Sequence, residues 1–154
     1  MQHVVSGSRS IAAPAGRVYG ILADYRDGHP RILPPAFRNV VVEAGGTGAG
    51  TILTFDMRVL GATRSFRATV SEPEPGRVLV ERNEGAQPSV TTFTVDPAGD
   101  SACVVTIRTE MRVRAGPFGW LERVLASAFL QRVYTEELRR LAVRASEPDA
   151  QSRA

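Results

Sequence analysis

Several residue types are scarce or missing in this chain of 154 residues, and each absence excludes a class of protein. There is no lysine, so all 19 basic side chains are arginine, and the formal net charge is only +3. The arginines are scattered, whereas nucleic-acid binding needs a concentrated basic face with stacking aromatics, so no nucleic-acid partner is expected. The one cysteine, Cys103, cannot form an internal disulfide, which favours a cytoplasmic location.

Long apolar runs and the common catalytic motifs are also lacking. No stretch is apolar for about eighteen residues, so no integral contact with a membrane is expected, and residues 1–6 do not resemble a signal peptide. The two histidines, His3 and His29, lie far apart without a cysteine cluster, so neither a metal site nor a cofactor is predicted. Cys103 has no evident histidine partner and no Gly-x-Ser-x-Gly motif occurs, so no catalytic residue is assigned.

The chain does contain a regular series of strand-like segments separated by glycine and proline turns. A single domain is predicted over residues 1–145, followed by a polar tail at 146–154 that is predicted to be disordered. Pro14 and Pro117 suit the first turn of a helix, and the Pro34-Pro35 pair must end a short second one. The predicted strands are 3–12, 37–44, 50–59, 63–72, 77–83, 89–96 and 102–114, and the predicted helices are 14–23, one short helix within 24–35, and 117–145.

Short turns between successive strands predict an antiparallel sheet with one face on the core. The last helix must cover that face, because nothing else in the sequence can. We therefore predict an α+β protein in which a curved seven-stranded antiparallel sheet wraps a long C-terminal helix, with two short helices after strand 1.

Alternation of apolar and polar residues assigns the inward face of most strands. The fifth strand is ambiguous: Val78 and Val80 point one way, and Arg82 follows them inward, while Leu79 and Glu81 point the other way. Asp56 and Glu110 are assigned outward, so the inner face is expected to be almost free of carboxylates. The apolar residues assigned inward are Leu53, Phe55, Met57 and Val59, then Phe66, Ala68 and Val70, then Phe93 and Val95, then Cys103, Val105, Ile107, Met111 and Val113, with Thr109 among them.

The order of these features resembles the SRPBCC superfamily, whose members include START domains and the major pollen allergens. The resemblance is carried by Ile11-Ala12-Ala13-Pro14 leading into a short helix that closes on Asp24-Tyr25, by the glycine cluster Gly45–Gly50, and by strands followed by one long helix. It covers about residues 3–145 and is strongest to the bacterial polyketide cyclase/dehydrase-like group. It implies the helix-grip fold. The glycine cluster is interpreted as a structural hairpin or, alternatively, as a flexible lip of a pocket.

The resemblance also implies an elongated internal cavity, although the apolar pattern alone favours a filled core. Arg82 is the candidate charged anchor for a ligand; alternatively it lies at the strand end and reaches solvent. His29 falls in the region that borders the pocket mouth in the family. The pocket candidates are Tyr25, Phe55, Met57, Phe66, Arg82, Phe93, Ile107, Thr109, Met111, Leu121, Leu125 and Phe129.

Two functions are compatible with this pattern. The first is binding or carrying of an apolar small molecule, such as a lipid, an isoprenoid or a polyketide-like compound, by a monomer or weak homodimer. The second is an enzyme of the polyketide cyclase, aromatase or dehydratase type, which needs a positioned acid or base. Its visible inward candidates are Arg82, Tyr25, Thr109 and Tyr134, and whether there is catalysis stays open.

Overall fold

A computed structural model describes residues 2–148, and in it one curved antiparallel sheet surrounds a long helix. This confirms the predicted architecture, and every predicted element is present with boundaries shifted by at most a few residues. The strands are β1 Gln2–Ile11, β2 Phe37–Ala44, β3 Ile52–Val59, β4 Ala62–Glu74, β5 Val78–Asn83, β6 Ser89–Pro97 and β7 Cys103–Arg112. The helices are α1 Ala15–Ala23, α2 Gly28–Ile32 and α3 Pro117–Ser146.

The described residues include only part of the region in which the domain is predicted to end and the tail to begin. Helix α3 continues through Ser146, one residue beyond the predicted domain end, and the backbone N–H of Glu147 bonds to the carbonyl of Arg144. Residues 149–154, where most of the predicted tail falls, lie outside the described residues. Within residues 2–148, no helix is long and apolar enough to cross a membrane.

The sheet order is β1-β7-β6-β5-β4-β3-β2, with every neighbouring pair antiparallel. Strands β2 to β7 therefore form a meander, because short turns can join only adjacent antiparallel strands. Helices α1 and α2 carry the chain from β1 to the opposite edge of the sheet. The pairing of β1 with β7 is continuous from Gln2 opposite Arg112 to Ile11 opposite Cys103.

Helix α3 lies along the concave side of the sheet beside β1. The imidazole Nε2 of His3 lies 2.8 Å from the hydroxyl of Ser127, and the amide of Gln131 donates to the carbonyl of Ser6 at 2.9 Å. These contacts place the start of β1 level with the middle of the helix.

The two halves of α3 consequently have different surroundings. The second half is buried against α1, α2 and the sheet, with Leu141 fully buried and Val133 at 5% exposure. The first half of the helix extends in space beyond the start of β1, and in it Leu121 and Leu125 are 47% and 40% exposed. The prediction that these two leucines face the cavity is wrong, because both side chains face solvent and neither lines the cavity.

The glycine cluster Gly45–Gly50 is held against the end of α1. The backbone N–H of Tyr25 donates to the carbonyl of Gly46 at 2.9 Å, and the N–H of Gly48 donates to Ala23 at 2.9 Å. Gly46 and Gly48 both have positive φ, and a Cβ on either would collide with a neighbouring side chain. No residue of 45–50 lines the cavity described below, which favours the structural hairpin over the flexible lip.

Candidate ligand-binding site

A cavity of about 210 Å³ lies between the concave face of the sheet and α3. Its wall is mostly apolar because the alternating side chains of four strands point into it. Aromatic rings dominate one side, where Phe55 lies between Phe37 and Phe66 with ring centroids 5.6 and 5.4 Å apart. The large apolar side chains of the wall are Phe37, Phe55, Met57, Phe66, Phe93, Ile107, Met111, Phe129, Leu130 and Val133.

The inward faces predicted for β3, β4, β6 and β7 are the faces that the structure shows. Of the twelve pocket candidates, eight line the cavity: Phe55, Met57, Phe66, Phe93, Ile107, Thr109, Met111 and Phe129. That these residues contact a ligand stays a prediction. Tyr25 does not line the cavity; it is buried immediately behind His29, stacked on its ring at 4.7 Å. Leu121 and Leu125 are on the exposed half of α3.

Arg82 lies on the outer face of the sheet and is exposed, so its predicted inward orientation is wrong. The reason is the register between β4 and β5, in which Glu81 is opposite Val70 and Arg82 is opposite Thr69. Residues directly opposite each other in a sheet share a face. Since Val70 is buried, Glu81 points inward and Arg82 points to solvent, as the alternative interpretation of this residue has it.

The inner end of the cavity holds a cluster of titratable side chains that the sequence did not reveal. We call it the inner cluster: Tyr25, His29, Glu81 and Glu137. His29, which was expected to border the pocket mouth, lies in this cluster instead, because α2 packs against the buried half of α3. His29 and Glu137 are 3% and 4% exposed, and both line the cavity together with Glu81. The Nε2 atom of His29 lies 3.8 Å from Oε1 of Glu81 and 3.6 Å from Oε1 of Glu137. The expectation of an inner face almost free of carboxylates is therefore wrong.

Several helices and strands and one loop hold this cluster in place. The Nδ1–H of His29 donates to the carbonyl of Leu22 in α1 at 2.7 Å, which fixes the ring and leaves Nε2 facing the carboxylates. The hydroxyl of Tyr25, in the loop before α2, donates to Oε1 of Glu81 at 2.7 Å. Phe93 packs edge-on against His29 at 5.4 Å. The cluster is therefore rigidly positioned by α1, α2, β5 and α3.

The cluster also shifts the protonation of its members. Burial alone would lower the pKa of His29, but Glu137, Glu81 and the Leu22 carbonyl outweigh it and raise the pKa to about 9. Burial raises the pKa of Glu81, although the charge of His29 and the Tyr25 hydrogen bond oppose this. Burial and the charge of Glu81 hold the pKa of Tyr25 well above its usual value. At neutral pH, His29 is a cation and Tyr25 keeps its proton.

A second polar strip runs along the wall next to the inner cluster. The hydroxyl of Tyr134 donates to Oγ1 of Thr109, and Oγ1 of Thr109 lies 2.9 Å from Oγ1 of Thr91. Burial raises the pKa of Tyr134 to about 12, so this hydroxyl also stays protonated. The three hydroxyls satisfy one another, and the strip is polar without carrying charge.

The other end of the cavity opens to solvent. We call it the mouth; its lining residues Arg64, Gln87, Pro88 and Arg112 are all exposed. The cavity is therefore polarised, with two carboxylates at the closed end and two guanidinium groups at the open end. Charge separated in this way orients a ligand that has unlike ends.

The inner cluster combines a proton donor, His29, with a proton acceptor, Glu137, at the edge of an apolar cavity. Such a pair can orient a polar group or transfer a proton. Among residues 2–148, no group of three or more His, Cys, Asp and Glu side chains is arranged to hold a metal ion.

One of the missed residues could have been found from the sequence. Glu137 follows Tyr134 by three residues and precedes Leu141 by four, so it lies on the apolar stripe of the last helix. A carboxylate within an apolar stripe indicates a function. Glu81 had no such signal, because only the strand register shows which way it points.

A sequence model of one family covers almost the whole chain. Its description is polyketide cyclase / dehydrase and lipid transport, and it matches residues 2–146. The chain belongs to this family. The predicted SRPBCC membership, including the polyketide cyclase/dehydrase-like group, is thereby confirmed, and ligand binding or cyclase-type activity is the general role that the family supports.

Solved structures share the fold of this member of the cyclase/dehydrase and lipid transport family. The KanY protein is 26% identical, with a TM-score of 0.83 over 96% of this chain and 99% of that one. The Zhui aromatase/cyclase from Streptomyces sp. R1128 is 17% identical, with a TM-score of 0.77 over 94% of each chain. Norcoclaurine synthase from Thalictrum flavum, solved with dopamine and hydroxybenzaldehyde, is 20% identical, with a TM-score of 0.69 over 97% and 90%. No curated protein matches the chain by sequence.

Proposed function

We propose that this protein binds a largely apolar small molecule of the lipid, isoprenoid or polyketide kind in its internal cavity. The observation that carries the proposal is the aromatic and aliphatic wall around about 210 Å³ of space in the interior. Protein interiors are otherwise close-packed, and an apolar cavity with a few convergent polar groups is the usual form of a small-molecule site. Binding then rests on apolar burial, with the inner cluster setting the orientation.

The cavity can be tested by filling it. Met111 lines the wall and is partly buried, so Met111→Trp places an indole in the ligand's space. We expect the affinity for Nile red, a neutral environment-sensitive dye, to fall at least tenfold, measured by fluorescence titration. Val41→Trp is the matched control, because Val41 is 54% exposed on β2 and does not line the cavity. Equal binding by both variants would place the dye outside the cavity and contradict the proposal.

The natural ligand can be sought directly. Native mass spectrometry of protein purified from its own cells should show an added mass that disappears on denaturation. The same measurement on Met111→Trp should show the bare chain. If the wild-type protein carries no added mass and binds no apolar probe, the proposal is contradicted and the cavity is only a feature of the fold.

A second candidate is an enzyme of the cyclase, aromatase or dehydratase type. It is favoured by one observation, the placement of His29 and Glu137 at the closed end of an apolar cavity. A carboxylate can take a proton from carbon beside a ketone, and an imidazolium can stabilise the oxyanion that forms. Incubation with a thioester mimic of a poly-β-ketone, followed by absorbance of the aromatic product, tests this candidate. Turnover lost in Glu137→Gln with dye binding retained would support it.

The remaining sequence predictions are kept as proposals. We propose a cytoplasmic protein, monomeric or weakly dimeric, without a nucleic-acid partner. The only cysteine of the chain, Cys103, is buried and free, which is compatible with a reducing compartment. Light scattering over a concentration series tests the oligomeric state.

A further inference from the structure

One buried atom at the inner end of the cavity lacks a hydrogen-bond partner. It is Oε1 of Glu137, and among residues 2–148 no other buried side-chain nitrogen or oxygen is left without one. Glu137 is 4% exposed and lines the cavity. An unpaired buried acceptor destabilises the folded protein, and more so when it is charged. A carboxylate kept in this position therefore indicates that something else donates to it.

Most donors at this end of the cavity are committed elsewhere. Tyr25 donates its hydroxyl to Glu81, and His29 donates its Nδ1–H to Leu22. Tyr134, one helical turn before Glu137, donates to Thr109. The Nε2–H of His29 is 3.6 Å from Oε1 of Glu137, which is too long for a normal hydrogen bond. The closed end of the cavity consequently has more acceptors than donors.

The charges at this end lead to the same conclusion. Two carboxyl groups, those of Glu81 and Glu137, face a single imidazole, so the side chains that can carry negative charge outnumber the one that can carry positive charge. The arginines that line the cavity, Arg64 and Arg112, are exposed at the mouth, on the other side of the apolar wall. An anionic group at the closed end would meet two carboxylates without a free cation, whereas a cation or a neutral donor would complete the cluster.

We propose that the closed end of the cavity recognises an N–H or O–H donor, a protonated amine or a hydroxyl, on an aromatic or aliphatic ligand, and that Glu137 accepts its hydrogen bond. This rests on the proposed function, since it specifies which ligands enter the same cavity. A carboxylate is excluded from the closed end. A ligand that has both a donor and an anionic group enters donor first, with the anion left near Arg64 and Arg112.

A series of probes with one shape and different polar groups tests the proposal. We choose 2-naphthol, 2-naphthylmethylamine, 2-methylnaphthalene and 2-naphthoate, and measure binding to the wild-type protein at pH 7 by displacement of Nile red. The naphthol and the amine should bind at least fivefold more tightly than the hydrocarbon. The naphthoate should bind most weakly.

Substitution of Glu137 separates the two kinds of donor. Glu137→Gln keeps the size and one acceptor oxygen but removes the charge, so the amine should lose at least tenfold while the naphthol loses less than threefold. Glu137→Leu should weaken both to the level of the hydrocarbon. Glu136→Gln is the matched control: Glu136 is the preceding residue of α3, hydrogen-bonded to Arg139 and Arg140 on the outer side. It should leave all four affinities unchanged.

The outcomes are distinguishable. If the hydrocarbon binds as tightly as the donors, or if the naphthoate binds most tightly, the donor site is wrong while the proposed cavity binding stands. If none of the naphthalene probes displaces Nile red, the donor site is wrong while the bound dye still supports the proposed cavity binding; if Nile red does not bind either, both fail. These comparisons use the wild-type protein, so they hold even where a Glu137 variant folds poorly.

Discussion

The first half of helix α3 has more apolar residues than the second half, yet the second half is the more deeply buried. In the second half, Leu138 and Leu141 are buried to 3% and 0% exposure. In the first half, Phe118 and Trp120 are 80% and 60% exposed. The difference arises because β1, α1 and α2 all contact the helix from about Ser127 onward. An apolar stripe shows that a helix has a face that burial would stabilise. The elements that pack against the helix determine how much of that face is buried.

The cavity shows the same division. Its closed end lies beside the buried half of α3, where a rigid shell holds the inner cluster. Its mouth lies at the other end, where the lining residues are exposed. The closed end therefore contributes stability and the polar groups that can recognise a ligand, and the mouth gives the ligand access to the cavity. The predictions below test this division.

The largest expected effect is on stability. Leu141→Ala removes a fully buried side chain and should lower the free energy of unfolding by about 2–5 kcal/mol. Leu121→Ala, the same substitution on the exposed half of α3, should cost less than about 0.5 kcal/mol. Urea titration gives the free energy of unfolding of both variants. Similar losses would show that the first half of the helix is packed in solution.

A smaller effect on stability is expected from pH. His29 has a folded pKa of about 9 against 6.5 in the unfolded chain, so its contribution is complete below about pH 6.5 and is lost as the pH rises through 9. The free energy of unfolding should fall by roughly 1–3 kcal/mol over this range. The groups facing His29 are Tyr25, Glu81 and Glu137, and deprotonation of Glu81, whose pKa is raised by burial, acts in the same direction at lower pH.

Variant His29→Gln should remove most of this pH dependence. Urea unfolding at several pH values between 6 and 10 makes the comparison. An unchanged slope in His29→Gln would mean that His29 is not the group that titrates in this range and that its pKa is not raised to about 9.

The fluorescence of Trp120, the only tryptophan of the chain, reports on the exposed half of α3 without any substitution. Because Trp120 is 60% exposed, its emission should be solvent-like and strongly quenched by acrylamide. A blue-shifted, protected emission would show that the first half of α3 is covered, for example by a second copy of the chain.

The smallest effect is expected at Arg82. Its side chain lies on the outer face of the sheet, so Arg82→Leu should change the affinity for 2-naphthoate and for 2-naphthol by less than twofold. Displacement of Nile red gives both affinities. A tenfold loss for the naphthoate alone would restore Arg82 as an anchor and would require a different register of β5 in solution.

The sequence by itself determined the order of elements, the curved antiparallel sheet and most of the cavity wall. Helix starts at Pro14 and Pro117, glycine turns, and period-two alternation are local signals, and they act over a few residues. Phe55, Phe66, Ile107 and Met111 could therefore be assigned to the inner face before any strand was paired. The family resemblance added the expectation of a cavity, which alternation cannot distinguish from a filled core.

Only the tertiary structure decided the polar chemistry of the site. In β5 the apolar residues Val78 and Val80 led to the wrong prediction of the inward face. The pairing of Glu81 with the buried Val70 places Glu81 on that face instead. His29, Glu81 and Glu137 are separated by more than 50 residues along the chain, so their meeting depends on how α2, β5 and α3 pack. The burial of a carboxylate is favourable only where other elements supply its partners. Whether such partners are within reach is a property of the folded chain.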